Sequence, residues 1–158
     1  MRLGATLFLK TVITAAAIGT LAVCIFLLPW LSNYTAEMYP EFAYLQYPVL
    51  VGLYIVTVPF LIALHSTLKL LGNIDRKNIF SESSVRALAR IKYCAIAISM
   101  LFVLGGGLLI AQDAAHPSVS LVGITIIFAS ATIAVFAAVL QQIFQEALNL
   151  KSENDLTV

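Results

Sequence analysis

Charge is scarce in this sequence. Asp, Glu, Lys and Arg make up 11% of 158 residues, where a soluble domain carries about a quarter. Hydrophobic residues take 61% and the mean hydropathy is +0.97, which places most of the chain in a bilayer. Only two cysteines, Cys24 and Cys94, are present, too few and too apolar in context for a disulfide framework or a metal site. They fall in opposite halves of the layout below, so no bond between them is expected, and both read as small buried apolar side chains. A glycine-rich phosphate loop, zinc-type ligand spacing and a Ser/His/Asp set are all missing. No Asp, Glu, Lys or Arg lies in the core of an apolar stretch, whereas ion-coupled carriers keep such a residue near the midplane despite its cost. Coupled transport is therefore disfavoured, and neither an enzyme nor a cofactor is expected. Glu37, Glu41, Asp113 and His116 share one side but lie in different loops without diagnostic spacing, so no metal site is expected either.

What is present is a set of four apolar stretches, at about 11–31, 48–71, 93–112 and 121–143, each near the 20 residues that span a bilayer core. The fold class they define is an all-α polytopic membrane protein, one domain of four transmembrane helices arranged as two hairpins. A cleaved signal peptide is excluded for the first stretch, which is too long and is followed by no small-residue cleavage site. The connection 32–47 is rich in aromatics, with Tyr34, Tyr39, Phe42, Tyr44 and Tyr47 following Trp30, as at a lipid headgroup interface. A ligand-binding aromatic platform is the alternative. Pro59 interrupts the second helix and should free the carbonyl of Ile55, giving a kink. In the third helix Ala95, Ser99, Gly106 and Asp113 form a seam of small or short side chains, matched in the fourth by Ser130, Ala134 and Ala138; such seams let membrane helices approach closely. Gly105, Gly106 and Gly107 weaken helix propensity locally and read as close packing or a hinge. His65 is the titratable group at membrane depth, either a sensor or a neutral side chain hydrogen-bonded to Gln141, Gln142 or Ser99.

The orientation follows from the sides on which charge falls. All nine Lys and Arg residues lie before residue 11, in the central segment with its Lys69 edge, or at Lys151; 32–47 and 113–120 contain none. Excess Lys and Arg marks the cytoplasmic side, so both termini and the central loop 72–92 are assigned there. Nine basic and five acidic residues then lie inside, a net +4, and three acidic residues outside, a net −3.

The central loop holds the organising signals. Gly72, Asn73 and Asp75 read as a turn ending the second helix, and Ser81 reads as the N-cap of the next, with Glu82 in its first turn. Phe80 and Val85 occupy the two positions of a hydrophobic staple. Arg86 and Arg90 stack at spacing four. They serve either anionic lipid headgroups or a docking face for the acidic tail or a cytoplasmic protein. A direct nucleic-acid contact is disfavoured, because no aromatic residues interleave with the cations. In the tail, 144–158, Phe144 and Leu148 continue an apolar side of the fourth helix, and Glu153, Asp155, Leu156 and Val158 form an end with apolar residues that have no local partner.

Two patterns in these cytoplasmic segments carry a resemblance. Phe80, Ser81, Ser84, Val85, Leu88 and Ile91 match F-[ST]-x-x-[NS]-V-x-x-L-x-x-I, and Glu153 to Val158 match E-N-D-L-T-[VI]. The chain resembles a family of small bacterial multi-pass membrane proteins classed as a domain of unknown function, with Ser84 standing where that family often has Asn. Genes of the family often neighbour a small helix-turn-helix transcriptional regulator. The resemblance implies an adaptor or sensor of the bacterial inner membrane whose partner-binding residues are Phe80, Ser81, Arg86, Arg90, Glu153, Asp155, Leu156 and Val158. The competing expectation is a passive permeation or lipid-binding bundle with Pro59, His65 and Gly105 to Gly107 at its hinge. Membrane lipids are partners on either reading, and association with further copies stays open.

Overall fold

The computed structural model describes residues 2–157, with side chains described over 4–156. Every element is helical: α1 (Arg2–Ala22), a π-helical turn (Val23–Leu27), α2 (Leu28–Met38), a 3₁₀ turn (Pro40–Leu45), α3 (Gln46–Asp75), α4 (Glu82–Ala111) and α5 (Pro117–Thr157). Four rods, Gly4–Met38, Pro40–Asp75, Glu82–Ala111 and Pro117–Leu156, are long and apolar enough to cross a membrane. Helices suit that solvent because they satisfy backbone groups internally. Thr hydroxyls within the rods do likewise, as Thr14 to the Lys10 carbonyl, Thr57 to Leu53 and Thr132 to Phe128.

The rods are longer than the apolar stretches, and the connections correspondingly shorter. Residues 32–47 are mostly helical, and the central connection shrinks from 72–92 to 76–81. The helix does not stop at Gly72, since one glycine costs only about 1 kcal/mol and Asn73 is held by a hydrogen bond to Ser84. It stops at Lys77, which takes φ 57°, with Asn78 N–H donating to the Asn73 carbonyl at 2.9 Å and Lys77 N–H to Ile74 at 3.1 Å. That is a Schellman ending, built here without glycine. Asp113, at φ 54°, ends α4 in the same way, through Ala114 N–H to Leu109.

Packing follows chain order: the α1–α2 rod lies against α3, α3 against α4, and α4 against α5, and among the described residues there is no substantial contact between the first rod and α4 or α5, or between α3 and α5. The helices form a row with two open faces. Between α4 and α5, Ser99 and Ser130 meet Oγ to Oγ at 2.6 Å, flanked by buried Ala95, Ala134 and Ala137. The small seam is therefore real, with Ala137 buried in it as well and Ala138 half-buried. It does not reach Gly106: nothing lies within 4 Å of a Cβ placed on Gly105, Gly106 or Gly107, and Asp113 is exposed. The glycine triplet therefore makes no close packing with another helix of this chain.

Apolar side chains cover the open faces, with Phe26 and Phe128 each 74% exposed. In water each would forfeit about 1.5–3 kcal/mol of burial. Against lipid tails nothing is lost.

Polar contacts join residues assigned to one side by charge. At the basic end Lys10 pairs with Asp75 at 2.5 Å. At the opposite end the Tyr44 hydroxyl donates to Gln112 at 2.8 Å, and Gln46 donates to Asn33 at 2.7 Å. Between them lies the π turn, four residues before Pro29. Proline has no N–H and crowds the carbonyl four residues back, here Ile25, so the helix widens by one residue at that point. Tyr54 of α3 donates to the Cys24 carbonyl at 2.8 Å, and Cys24 Sγ lies 3.3 Å from Thr57 Oγ1. Cys24 and Cys94 are both free thiols.

Candidate functional site

Ser81 sets up the site. It is extended (φ −139°, ψ 163°) and its hydroxyl accepts from the Ser84 amide at 3.3 Å, capping α4. Ser84 is fully buried and accepts from Asn73 Nδ2 at 3.0 Å, which ties the start of α4 to the end of α3. Phe80 is thereby presented to α5, where its ring meets Phe144 edge-on, with centroids 5.2 Å apart and planes at 73°. Such a pair adds about 0.5–1.5 kcal/mol beyond area burial. The ring contact is to Phe144, while Val85, the other staple position, is buried.

α5 does not end at the apolar stretch but runs on to Thr157, so the tail is a helix. Residues 144–157 project about 20 Å past the span. An open groove of about 410 Å³ separates this projection from the central connection. Asn78, Phe80, Ser81 and Glu82 line one wall; Leu148, Lys151, Ser152, Asp155 and Leu156 line the other. Its apolar groups include Phe80, 41% exposed, and Leu156, 85% exposed. Its charges alternate in sign.

Of the residues singled out by sequence, Phe80, Ser81, Asp155 and Leu156 come together here. Glu153 lies on the same helical stretch without lining the groove, and Val158 lies outside the described residues. Arg86 and Arg90 do not line it either. They project from the exposed face of α4, where Arg86 reaches Glu82 at 3.6 Å. The hinge candidates do not converge. Extending the Asn73–Ser84 register along the antiparallel helices brings Pro59 level with Ile98, about 10 Å short of Gly105. His65 is exposed, and Ser99, one of its expected partners, bonds to Ser130 instead.

Sequence reasoning missed Phe144 as the partner of Phe80, and Lys151 and Ser152 as groove residues. The signal was their spacing: Phe144, Leu148, Lys151 and Asp155 recur every three or four residues, the period of one helix face. The Lys10–Asp75, Tyr54–Cys24 and Tyr44–Gln112 contacts left no local signal.

Four apolar rods with helical projections at the basic end define a polytopic helical membrane protein. The chain belongs to the family described as Protein of unknown function (DUF2975), which matches residues 30–158. It is 48% identical over 155 residues, covering 97% of both chains, to a protein of Bacillus subtilis (strain 168) named Uncharacterized membrane protein YoaS. No solved structure matches. The family match includes both walls of the groove.

Proposed function

We propose that this protein is a non-enzymatic adaptor or sensor of the bacterial cytoplasmic membrane, with both termini in the cytoplasm, that holds a small helix-turn-helix regulator in the groove between Phe80 and Leu156. One observation carries the reading: two sequence patterns about 70 residues apart converge as the facing walls of one groove. Exposed Phe80 and Leu156 offer apolar anchors, and Glu82, Lys151 and Asp155 can fix the register of a docked amphipathic helix. Both walls are continuous with membrane-crossing helices joined at Ser99–Ser130. A change in their packing would alter the groove's width and so hold or release the regulator.

The test is retention of the neighbour-encoded regulator by the detergent-solubilised full chain. Phe80→Ala, Leu156→Asp and deletion of 153–158 are each expected to reduce retention at least tenfold. Full retention by all three variants would dispose of the groove as the docking site.

A further inference from the structure

We infer that the outward face of α4 is a binding site for an anionic phospholipid, held through its phosphate by Arg86 and Arg90. Arg86, Arg90, Tyr93, Met100 and Leu104 follow one another at spacings of three, four or seven, which keeps them on one side of a helix. All five are exposed, with Tyr93 at 64%, Met100 at 59% and Leu104 at 68%. Val85, Leu88 and Ala95, on the other side of α4, are buried.

The stripe changes character along its length as a phospholipid does. Met100 and Leu104 give an apolar track for acyl chains. Tyr93 stands where amphipathic rings collect, at the edge of the apolar core, and Lys92 Nζ lies 4.6 Å from its ring centroid. Counting outward from Tyr93, Arg90 lies about 4–5 Å and Arg86 about 10 Å further along the axis, within reach of the headgroup layer that flanks the core. Guanidinium groups match phosphate oxygens in a planar fork.

The local charges leave these groups available. Among the described residues the one carboxylate paired with Arg86 is Glu82, in a pair whose side chains are 62% and 79% exposed and which is therefore weak. Arg90 has no carboxylate partner among the described residues. An acidic protein could meet the arginines, but the apolar continuation of the same face into the bilayer fits a lipid, which supplies phosphate and hydrocarbon together.

The experiment titrates the purified full chain in neutral detergent with phosphatidylglycerol or phosphatidylcholine and counts bound lipids by native mass spectrometry. The wild type should prefer phosphatidylglycerol, and R86Q/R90Q should lose about 25-fold of that affinity, at about five-fold per arginine. R86K/R90K, which keeps the charge but loses the planar fork, should recover only part of it, and salt should weaken the wild-type preference. Equal binding of the two lipids by the wild type, or an unchanged preference in R86Q/R90Q, would overturn the inference. So would full displacement of phosphatidylglycerol by inorganic phosphate, which would mark a free-anion site. If R86Q/R90Q released the regulator while keeping the lipid, the arginines would belong to a protein interface and the inference would fail. The groove reading is tested separately, because Phe80→Ala should leave lipid binding unchanged.

Discussion

Ser66, Asn73 and Ser84 are all buried, yet their hydroxyl and amide groups are in different positions energetically. Asn73 and Ser84 satisfy each other at 3.0 Å, and Ser81 completes the chain through the Ser84 hydroxyl at 3.3 Å. Ser66 Oγ has no hydrogen-bond partner among the described residues. Breaking a buried pair strands the remaining partner at a cost of about 1–3 kcal/mol, whereas deleting an orphan polar group costs little. Asn73→Ala is therefore expected to destabilise the protein by about 1–3 kcal/mol, and Ser66→Ala to be neutral or slightly stabilising. Equilibrium unfolding in detergent micelles measures both. Equal losses for the two variants would contradict the pairing. Ser84 keeps this contact because its hydroxyl both accepts from Asn73 and fits a fully buried site.

At the scale of the element, α4 carries two separate surfaces on one helix. Its first turn is fixed by the Ser81 cap and presents Phe80 to Phe144, while its outward face presents Arg86 and Arg90. Ser81→Ala should cost about 1 kcal/mol of stability. It should also fray the first turn, seen as faster amide hydrogen exchange over residues 82–85, with the exchange of 95–104 unchanged. The cap and the amphipathic start of α4 were legible in the sequence because they depend on residues within four positions of each other. The true ends of α3 and α5 were not. Gly72 is a stop signal only when nothing holds the next turn, and Asn73 is held by a residue 11 positions on. The helical tail was likewise obscured, since Lys151 to Asp155 is wholly polar and carries no apolar periodicity.

For the whole molecule, the row of helices has consequences that a closed four-helix bundle would not. With Cys24 and Cys94 replaced, the pair Ser99→Cys and Ser130→Cys should oxidise readily to a disulfide across α4 and α5, because their hydroxyls already meet at 2.6 Å. A pair joining α1 and α5, such as Thr14→Cys with Thr132→Cys, should not. Reporter fusions after Asn33, Asn78 and Val158 should place the first outside and the other two inside; the reverse pattern would turn the groove away from any cytoplasmic partner.

The sequence by itself determined the four helices, their alternating direction and the segregation of Lys and Arg to one end. These follow from the cost of burying charge and unpaired backbone groups in lipid, and each can be read from a local stretch. Only the tertiary structure decided which helices touch, where the long rods end and which residues face each other across the groove. Phe80 with Phe144, Tyr54 with Cys24 and Lys10 with Asp75 are 30 or more positions apart. Lipid gives apolar faces almost no preference among neighbours, so the choice falls to small residues and to a few such distant contacts, whose pairing no local pattern encodes.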